Sequence, residues 1–206
     1  MKQAYTAVIL AGGRSKRLNG KNKAFIHVGG KTTFERIYTI LYDLFQDIIV
    51  VTNEPDKYLN WDCEIVTDIY PIRGSLIGLH SGLFYTKTAH TFFTACDTPF
   101  LKKEMVMMLL NEIDANVDVV IPEISLGFEP LCAVYSKRCL KPIEQQIAQR
   151  QFKIQSFFHR VRMKKISEKV LLQKDPDLVS FFNINTPADI LKAEKIASGG
   201  GQRCIS

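Results

Sequence analysis

The chain lacks most of the features that would mark it as disulfide-bonded, zinc-holding or membrane-spanning. Its five cysteines, Cys63, Cys96, Cys132, Cys139 and Cys204, are odd in number and contain no C-x-x-C pair, which fits neither a disulfide framework nor a zinc site. Reduced thiols are expected. Cys204 stands too near the end for a C-a-a-X box. The four histidines, His27, His80, His90 and His159, show no H-x-x-x-H spacing. The longest stretch free of Asp, Glu, Lys and Arg is 13 residues, 74–86, against roughly 18 needed to cross a bilayer. The N-terminal apolar run, 4–10, breaks at once into Gly12-Gly13-Arg14 and lacks the pattern of a signal peptide. A cytoplasmic protein with no membrane contact is expected.

What is present is an ordinary globular composition: 206 residues, 46% hydrophobic and 23% charged. A chain of this size buries about 70% of the surface it exposes when unfolded, and no Pro/Ser-rich linker or internal repeat divides it. The net charge is +6. The excess is uneven, since residues 150–169 hold Arg150, Lys153, Arg160, Arg162, Lys164, Lys165 and Lys169 against the single acid Glu168. Such a stretch is either a solvated face or a patch that draws in an anionic ligand.

Runs rich in Val, Ile, Phe and Thr at 5–10, 47–52, 64–67, 91–95 and 117–121 read as strands. Between them, 33–45 and 102–113 carry apolar residues at helical spacing, the first behind Thr32 or Thr33 as a cap, and 74–85 forms a more buried helix. The alternation predicts βαβ units in a doubly wound, mostly parallel α/β sheet. Further on, 124–128 reads as a turn or loop, 129–135 as a strand, 140–149 as a helix, 161–166 as a short strand and 179–184 as a final strand leading to a helix near Pro187. Residues 1–197 form one domain in this reading, and 198–206 a flexible tail.

In an open parallel sheet, ligands bind beyond the carboxyl ends of the strands. After the first strand comes Leu10-Ala11-Gly12-Gly13-Arg14-Ser15-Lys16-Arg17-Leu18-Asn19-Gly20-Lys21-Asn22-Lys23, with three glycines and five cations. Glycines let backbone N–H groups turn toward an anion, and the cations neutralise it. The Walker pattern fails, because Gly20-Lys21 is followed by Asn22 and Gly30-Lys31-Thr32 has Phe25 where the first glycine should stand. G-x-G-x-x-G fails too, since Gly12 and Gly13 are adjacent. A different phosphate-binding loop is left.

Leu10-Ala11-Gly12-Gly13-x-Ser15-x-Arg17 followed by Lys23 resembles the signature loop of sugar-nucleotide-type nucleotidyltransferases. Three further segments make the chain similar to one branch, the molybdenum cofactor guanylyltransferases: Cys96-Asp97-Thr98-Pro99-Phe100-Leu101, Pro130-Leu131-x-Ala133-x-Tyr135 and Asn183-Ile184-Asn185-Thr186-Pro187. The resemblance implies a Rossmann-like nucleotidyltransferase fold. It also implies GMP transfer from GTP to the terminal phosphate of molybdopterin or Mo-molybdopterin, with Mg²⁺ required and pyrophosphate released.

Under that resemblance, Leu10, Ala11, Gly12 and Gly13 hold the nucleotide through backbone amides, while Lys23 and Arg17 stabilise charge on the transferring phosphate. Asp97 either holds Mg²⁺ against the triphosphate or, with Pro99 as a first helical residue, merely caps a helix. Guanine presents N1–H and N2–H₂ as adjacent donors, a match for one carboxylate, and the family positions place Asp68 and Asn53 around base and ribose, with Gly78 allowing close approach of its helix. Asn53 is equally at home as a turn residue before Glu54-Pro55. Asn183 and Asn185 fall on the acceptor side or act as helix caps. Arg160, Arg162, Lys164 and Lys165 are candidates for a positive field around the acceptor phosphate. Phe157, Phe158, Phe181 and Phe182 are expected in the core.

Leu18, Asn19, Ser75, Ile77 and Glu129 depart from the family pattern, Glu129 standing where His is frequent. The rival readings are a CTP-dependent molybdopterin cytidylyltransferase, a nucleotidyltransferase for another phosphorylated small molecule, and a non-enzymatic nucleotide or nucleic-acid binder. The basic residues do not form the interleaved aromatic platform of common single-strand binders, so no nucleic-acid partner is expected. A cofactor-delivery protein partner is compatible with an oxygen-labile product, but no docking motif is visible.

Overall fold

The computed structural model describes residues 2–12 and 22–199; Gly13, Arg17 and the tail from residue 200 onward lie outside the described residues. In chain order the elements are β1 (Gln3–Leu10), β2 (His27–Val28), β3 (Lys31–Thr32), α1 (Thr33–Leu44), β4 (Phe45–Val51), β5 (Glu64–Val66), α2 (Ser75–Tyr85), β6 (His90–Ala95), α3 (Lys103–Asn111), β7 (Val119–Ile124), β8 (Gly127–Phe128), β9 (Cys132–Ser136), α4 (Leu140–Ala148), β10 (Met163–Ser167), α5 (Glu168–Leu171) and α6 (Pro187–Ala197). Eight strands form one sheet in the order β10-β7-β9-β6-β1-β4-β5, with β8 paired to β7. The pairs β1–β4, β1–β6, β4–β5 and β7–β10 are parallel, and β9 runs against both β6 and β7. The doubly wound, mostly parallel sheet expected from the βαβ alternation is therefore present.

The strand side chains alternate between two cores, as a period of two requires. Ala7, Ile9 and Phe92 face one apolar cluster with Phe34, Ile37 and Leu41 of α1 and Met105, Val106 and Leu109 of α3. Val8 and Phe93 face the other, with Leu76, Leu79 and Leu83 of α2 and Ile143 and Ile147 of α4. Thr32 caps α1 by accepting the Glu35 N–H at 3.1 Å. The close seat of α2 depends on Gly82, where a Cβ would lie 2.7 Å from Phe93 Cε1 and 2.8 Å from Val8 Cγ1. A third, smaller cluster of Ile26, Val28, Ile184 and Ala193, with Phe100 and Phe182 against it, ties the β2–β3 hairpin to α6.

The turn expected within 124–128 is present at residues 125–126 and closes a β-hairpin, Glu123 pairing with Phe128 and Ile124 with Gly127. One expectation is corrected. The final strand expected over 179–184 is absent, replaced by a 3₁₀ turn, Val179–Phe181, preceded by Leu178 at φ +50°. The cause is Asp175, whose buried carboxylate accepts the Ser180 N–H at 2.7 Å and pairs with Lys102 Nζ at 2.8 Å. A fully buried charge has to be satisfied, and folding the backbone around it outweighs the strand propensity of Val179-Ser180-Phe181-Phe182. Phe157, Phe158 and Phe181 are buried as expected, and Phe182 is half-buried against Phe100.

Candidate active site

The sheet order reverses at β1, which has β4 on one side and β6 on the other. At this switch point the two strands end level, Leu10 opposite Ala95. The chain continues in register just beyond, with Ala11 N–H donating to Val51 O at 2.8 Å and Cys96 N–H to Leu10 O at 3.1 Å. Leu10, Ala11 and Gly12 thus leave the sheet beside Asp97, where a crevice for a ligand is expected in a doubly wound fold.

Lys23 opens a short 3₁₀ helix, Lys23–Phe25. Asn22 caps it, its Oδ1 accepting the Ala24 N–H at 3.0 Å, and its Nδ2 donates to Glu54 Oε2 at 2.7 Å. From the other side Thr33 Oγ1 donates to the Lys23 carbonyl at 2.6 Å. So held, the Lys23 ammonium donates to Asp97 Oδ2 at 2.8 Å and to Asn185 Oδ1. Arg36 braces the two backbones behind this meeting point: Nε donates to Pro99 O at 3.2 Å and Nη1 to Val28 O at 3.1 Å.

The capping alternative for Asp97 fails, because α3 starts only at Lys103 with Lys102 as its N-cap. The Asp97 carbonyl instead accepts the Ile184 N–H at 2.9 Å, which draws the Asn183-Ile184-Asn185 segment onto the site. Asn185 is not the cap of α6 either. Thr186 and Asp189 form a capping box, leaving the Asn185 side chain to Lys23. Asn185 therefore stands with Lys23 and Asp97, whereas Asn183 Nδ2 is engaged locally with the Phe181 carbonyl at 3.0 Å.

Two oxygens, Asp97 Oδ2 and Asn185 Oδ1, converge on one cationic group, and the buried Asp97 Oδ1 has no hydrogen-bond partner among the described residues. That donor set suits a hard divalent cation, which takes one or two carboxylate or amide oxygens and completes its shell with water and phosphate. Among the described residues no group of three or more His, Cys, Asp and Glu could hold a metal alone.

On the other side of β1 lies a second constellation. Asn53 Nδ2 donates to Asp68 Oδ2 at 2.8 Å, and a Cβ on Gly12 would sit 3.4 Å from the same Nδ2. The Asn53 side chain thus bonds Asp68 and lies close to Gly12. Burial raises the Asp68 carboxyl, opposed by the Asn53 hydrogen bond and the Arg73 charge. Gly78 lies where α2 crosses the end of β1, and a Cβ there would come within 3.3 Å of Leu10 Cδ2, a contact that a small shift of the leucine side chain would relieve.

The positive field assigned to Arg160, Arg162, Lys164 and Lys165 is not assembled. Arg162 Nε binds Asp118 Oδ2 at 3.1 Å, together with Arg138 Nε on Asp118 Oδ1 at 2.5 Å, just before β7 starts and so at the opposite end of the sheet from Asp97. Lys164 pairs with Glu112 at 2.7 Å, Lys165 with Glu123 at 3.1 Å, and Arg160 reaches Gln145 and Gln149. Arg162, Lys164 and Lys165 are thus paired with acids from distant segments, while Arg160 meets only neutral amides.

Asn22, Thr33, Arg36 and Glu54 support the site and were not anticipated. Asn22 beside Lys23 carried the only local signal, an Asn placed to cap a turn; the others act across the fold.

A family model described as the MobA-like NTP transferase domain matches residues 7–165. A protein of Desulfosudis oleivorans named molybdenum cofactor guanylyltransferase is 44% identical over 197 residues, covering 96% of this chain and 98% of the relative. A probable molybdenum cofactor guanylyltransferase of Natranaerobius thermophilus is 36% identical, covering 95% and 97%. The crystal structure of molybdopterin-guanine dinucleotide biosynthesis protein A from Archaeoglobus fulgidus superimposes with a TM-score of 0.84 at 29% identity, covering 94% of this chain and 99% of that one. With Leu10, Ala11 and Gly12 at the strand end and Lys23, Asp97 and Asn185 brought together beside them, the chain belongs to the MobA-like NTP transferase family of nucleotidyltransferase enzymes.

Proposed function

We propose that the chain transfers GMP from GTP to the terminal phosphate of molybdopterin, forming the guanine dinucleotide and releasing pyrophosphate. The observation that carries this reading is the meeting of Lys23, Asp97 and Asn185 at the sheet's switch point, combined with relatives named for that activity over nearly their whole length.

In the reaction an oxygen of the acceptor phosphate attacks the α-phosphorus of GTP, the bond to the β-phosphate breaks, and pyrophosphate leaves with that electron pair. Two anions must be brought together, so charge neutralisation and in-line positioning dominate. The backbone of Leu10, Ala11 and Gly12 approaches the triphosphate, and Lys23 turns its ammonium to the transferring phosphoryl group. Asp97, with the Asn185 amide oxygen beside it, would hold Mg²⁺, which supplies charge neutralisation on the phosphates. The Asp68 carboxyl, oriented by Asn53, meets the paired N–H donors of guanine.

The test is pyrophosphate release with each of the four nucleoside triphosphates and Mg²⁺, with and without molybdopterin, beside an Asp97→Ala control. Release that needs both GTP and molybdopterin and is lost in the control supports the proposal. Release with CTP in place of GTP would overturn the choice of base, and binding of GTP without release would overturn the acceptor.

A further inference from the structure

Glu54 takes no part in the reaction just described, yet it stands between the two halves of the site. Its neighbour Asn53 donates to Asp68, on the base side, at 2.8 Å. Glu54 reaches a different partner: its Oε2 accepts the Asn22 Nδ2–H at 2.7 Å, while Asn22 Oδ1 accepts the Ala24 N–H at 3.0 Å. One side-chain amide therefore joins Glu54 to the 3₁₀ helix Lys23–Phe25.

The carboxylate is itself anchored. Lys57 Nζ donates to the same Oε2 at 3.0 Å, and the Glu54 N–H donates to Thr52 Oγ1 at 3.1 Å. The chain then folds into a second 3₁₀ helix, Pro55–Tyr58. Tyr58, fully buried, packs on Phe25 with ring centroids 5.4 Å apart. The two short helices thus meet twice, Tyr58 against Phe25 and Glu54 against Asn22. Apolar packing is non-directional and sets their separation, whereas a charge-assisted hydrogen bond is directional and sets their orientation. The Lys23 helix has little stiffness of its own, since its closing bonds, Phe25 N–H to Asn22 O and Ile26 N–H to Lys23 O, are long at 3.2 and 3.3 Å. Its setting depends on what grips it: Thr33 at the Lys23 carbonyl and Glu54 through Asn22.

We propose that Glu54 is a positioning residue for the transfer step, acting through Asn22 to hold the Lys23 helix at a fixed setting against the turn that carries Asn53. This rests on the proposed function, in which Lys23 meets the transferring phosphoryl group and Asn53 orients Asp68 at the base. The partners of base and phosphate are then attached to adjacent residues of one turn, so the ammonium is set relative to the nucleotide. A displacement of about 1 Å at a reacting group costs on the order of 100-fold in rate, so the link acts on turnover more than on GTP binding.

The test measures turnover with GTP and molybdopterin for wild-type protein, Glu54→Ala and Glu54→Gln, and for Glu54→Ala in a Lys23→Ala background, with GTP affinity measured separately by calorimetry. Glu54→Ala lowers kcat by about 10- to 100-fold with GTP affinity within about threefold. Glu54→Gln, whose amide oxygen accepts the same Asn22 N–H, recovers most of the loss. In the Lys23→Ala background Glu54→Ala costs less than about twofold, because residues acting as one unit are not additive. An unchanged kcat in Glu54→Ala, with an active wild type, overturns the assignment alone. So does a loss of equal size in both backgrounds, or a loss of GTP affinity that matches the loss in kcat, either of which marks a general structural effect. A wild-type chain that binds GTP but leaves molybdopterin unreacted overturns the proposed function and this assignment with it.

Discussion

Lys23 Nζ lies 2.8 Å from Asp97 Oδ2 although 74 residues separate them in the chain. Both side chains are mostly shielded, at 16% and 17% exposure, and Asn185 closes the cluster from 162 residues away. The parallel sheet makes this possible by ending β1 and β6 side by side. Lys23→Ala is expected to lower turnover by on the order of 100-fold or more, the scale of losing one preorganised donor to a developing charge. A melting temperature within about 5 °C of wild type alongside the rate loss would separate chemistry from folding; wild-type turnover would refute the role of Lys23.

Gly82 is expected to resist substitution. Alanine is the better helix former by about 1 kcal/mol, yet a Cβ at Gly82 lies 2.7 Å from the Phe93 ring and 2.8 Å from Val8, so α2 would have to lift from the sheet. Overpacking of this kind costs about 1–3 kcal/mol. Urea unfolding of Gly82→Ala should show a lower midpoint, and a midpoint equal to or above wild type would mean that α2 shifts freely.

Asp118 links pH to stability. Burial acts to raise its carboxyl, but Arg162 and Arg138 prevail and hold it well below the usual carboxylate range. A depressed folded value contributes stability that is present above the unfolded value, near pH 4, and is lost as pH falls toward the folded one. Asp118→Asn should therefore destabilise the chain at pH 7, by about 2 kcal/mol, and the gap to wild type should narrow below pH 4. A gap independent of pH would exclude the ion pairs as its cause.

Glu129 gives the opposite sign. With its carboxyl pushed up from 4.5 to about 7 in the folded chain, the unfolded state sheds its proton first as pH rises, so the fold loses stability between those values. Glu129→Gln should match or exceed wild-type melting temperature at pH 4.5, gain on it as pH rises to 7, and keep a constant lead at pH 8. A variant less stable than wild type at pH 8 would show that the ionised carboxyl has a stabilising partner.

Much of the framework is legible in the residues. The Thr32 cap and the spacing of Phe34, Ile37 and Leu41 specify α1, and the uncharged, Phe- and Thr-rich run 91–95 marks a strand buried on both faces, as β6 is. Leu10, Ala11, Gly12 and Asp97 stand out because they lie at or just past a strand end, and Lys23 because it closes the glycine- and cation-rich loop. The strand expected at 179–184 misled because its local pattern of Val and Phe is strand-like, while its conformation answers to Asp175 and Lys102. The basic stretch misled for a related reason: net charge along the chain says nothing about which acids the fold sets opposite Arg162, Lys164 and Lys165.

The sequence by itself determined the alternation of strands and helices, the glycine loop and the residue types available for phosphate chemistry, since propensity, capping and period act over a few neighbouring residues. Only the tertiary structure decided that Asn185 meets Lys23 and Asp97 rather than capping α6, that Asn53 reaches Asp68, that Arg162 serves Asp118, and that Glu129 has no hydrogen-bond or ion-pair partner among the described residues. Those outcomes depend on which strands lie side by side and where they end, and that is fixed by burial on both faces of the sheet.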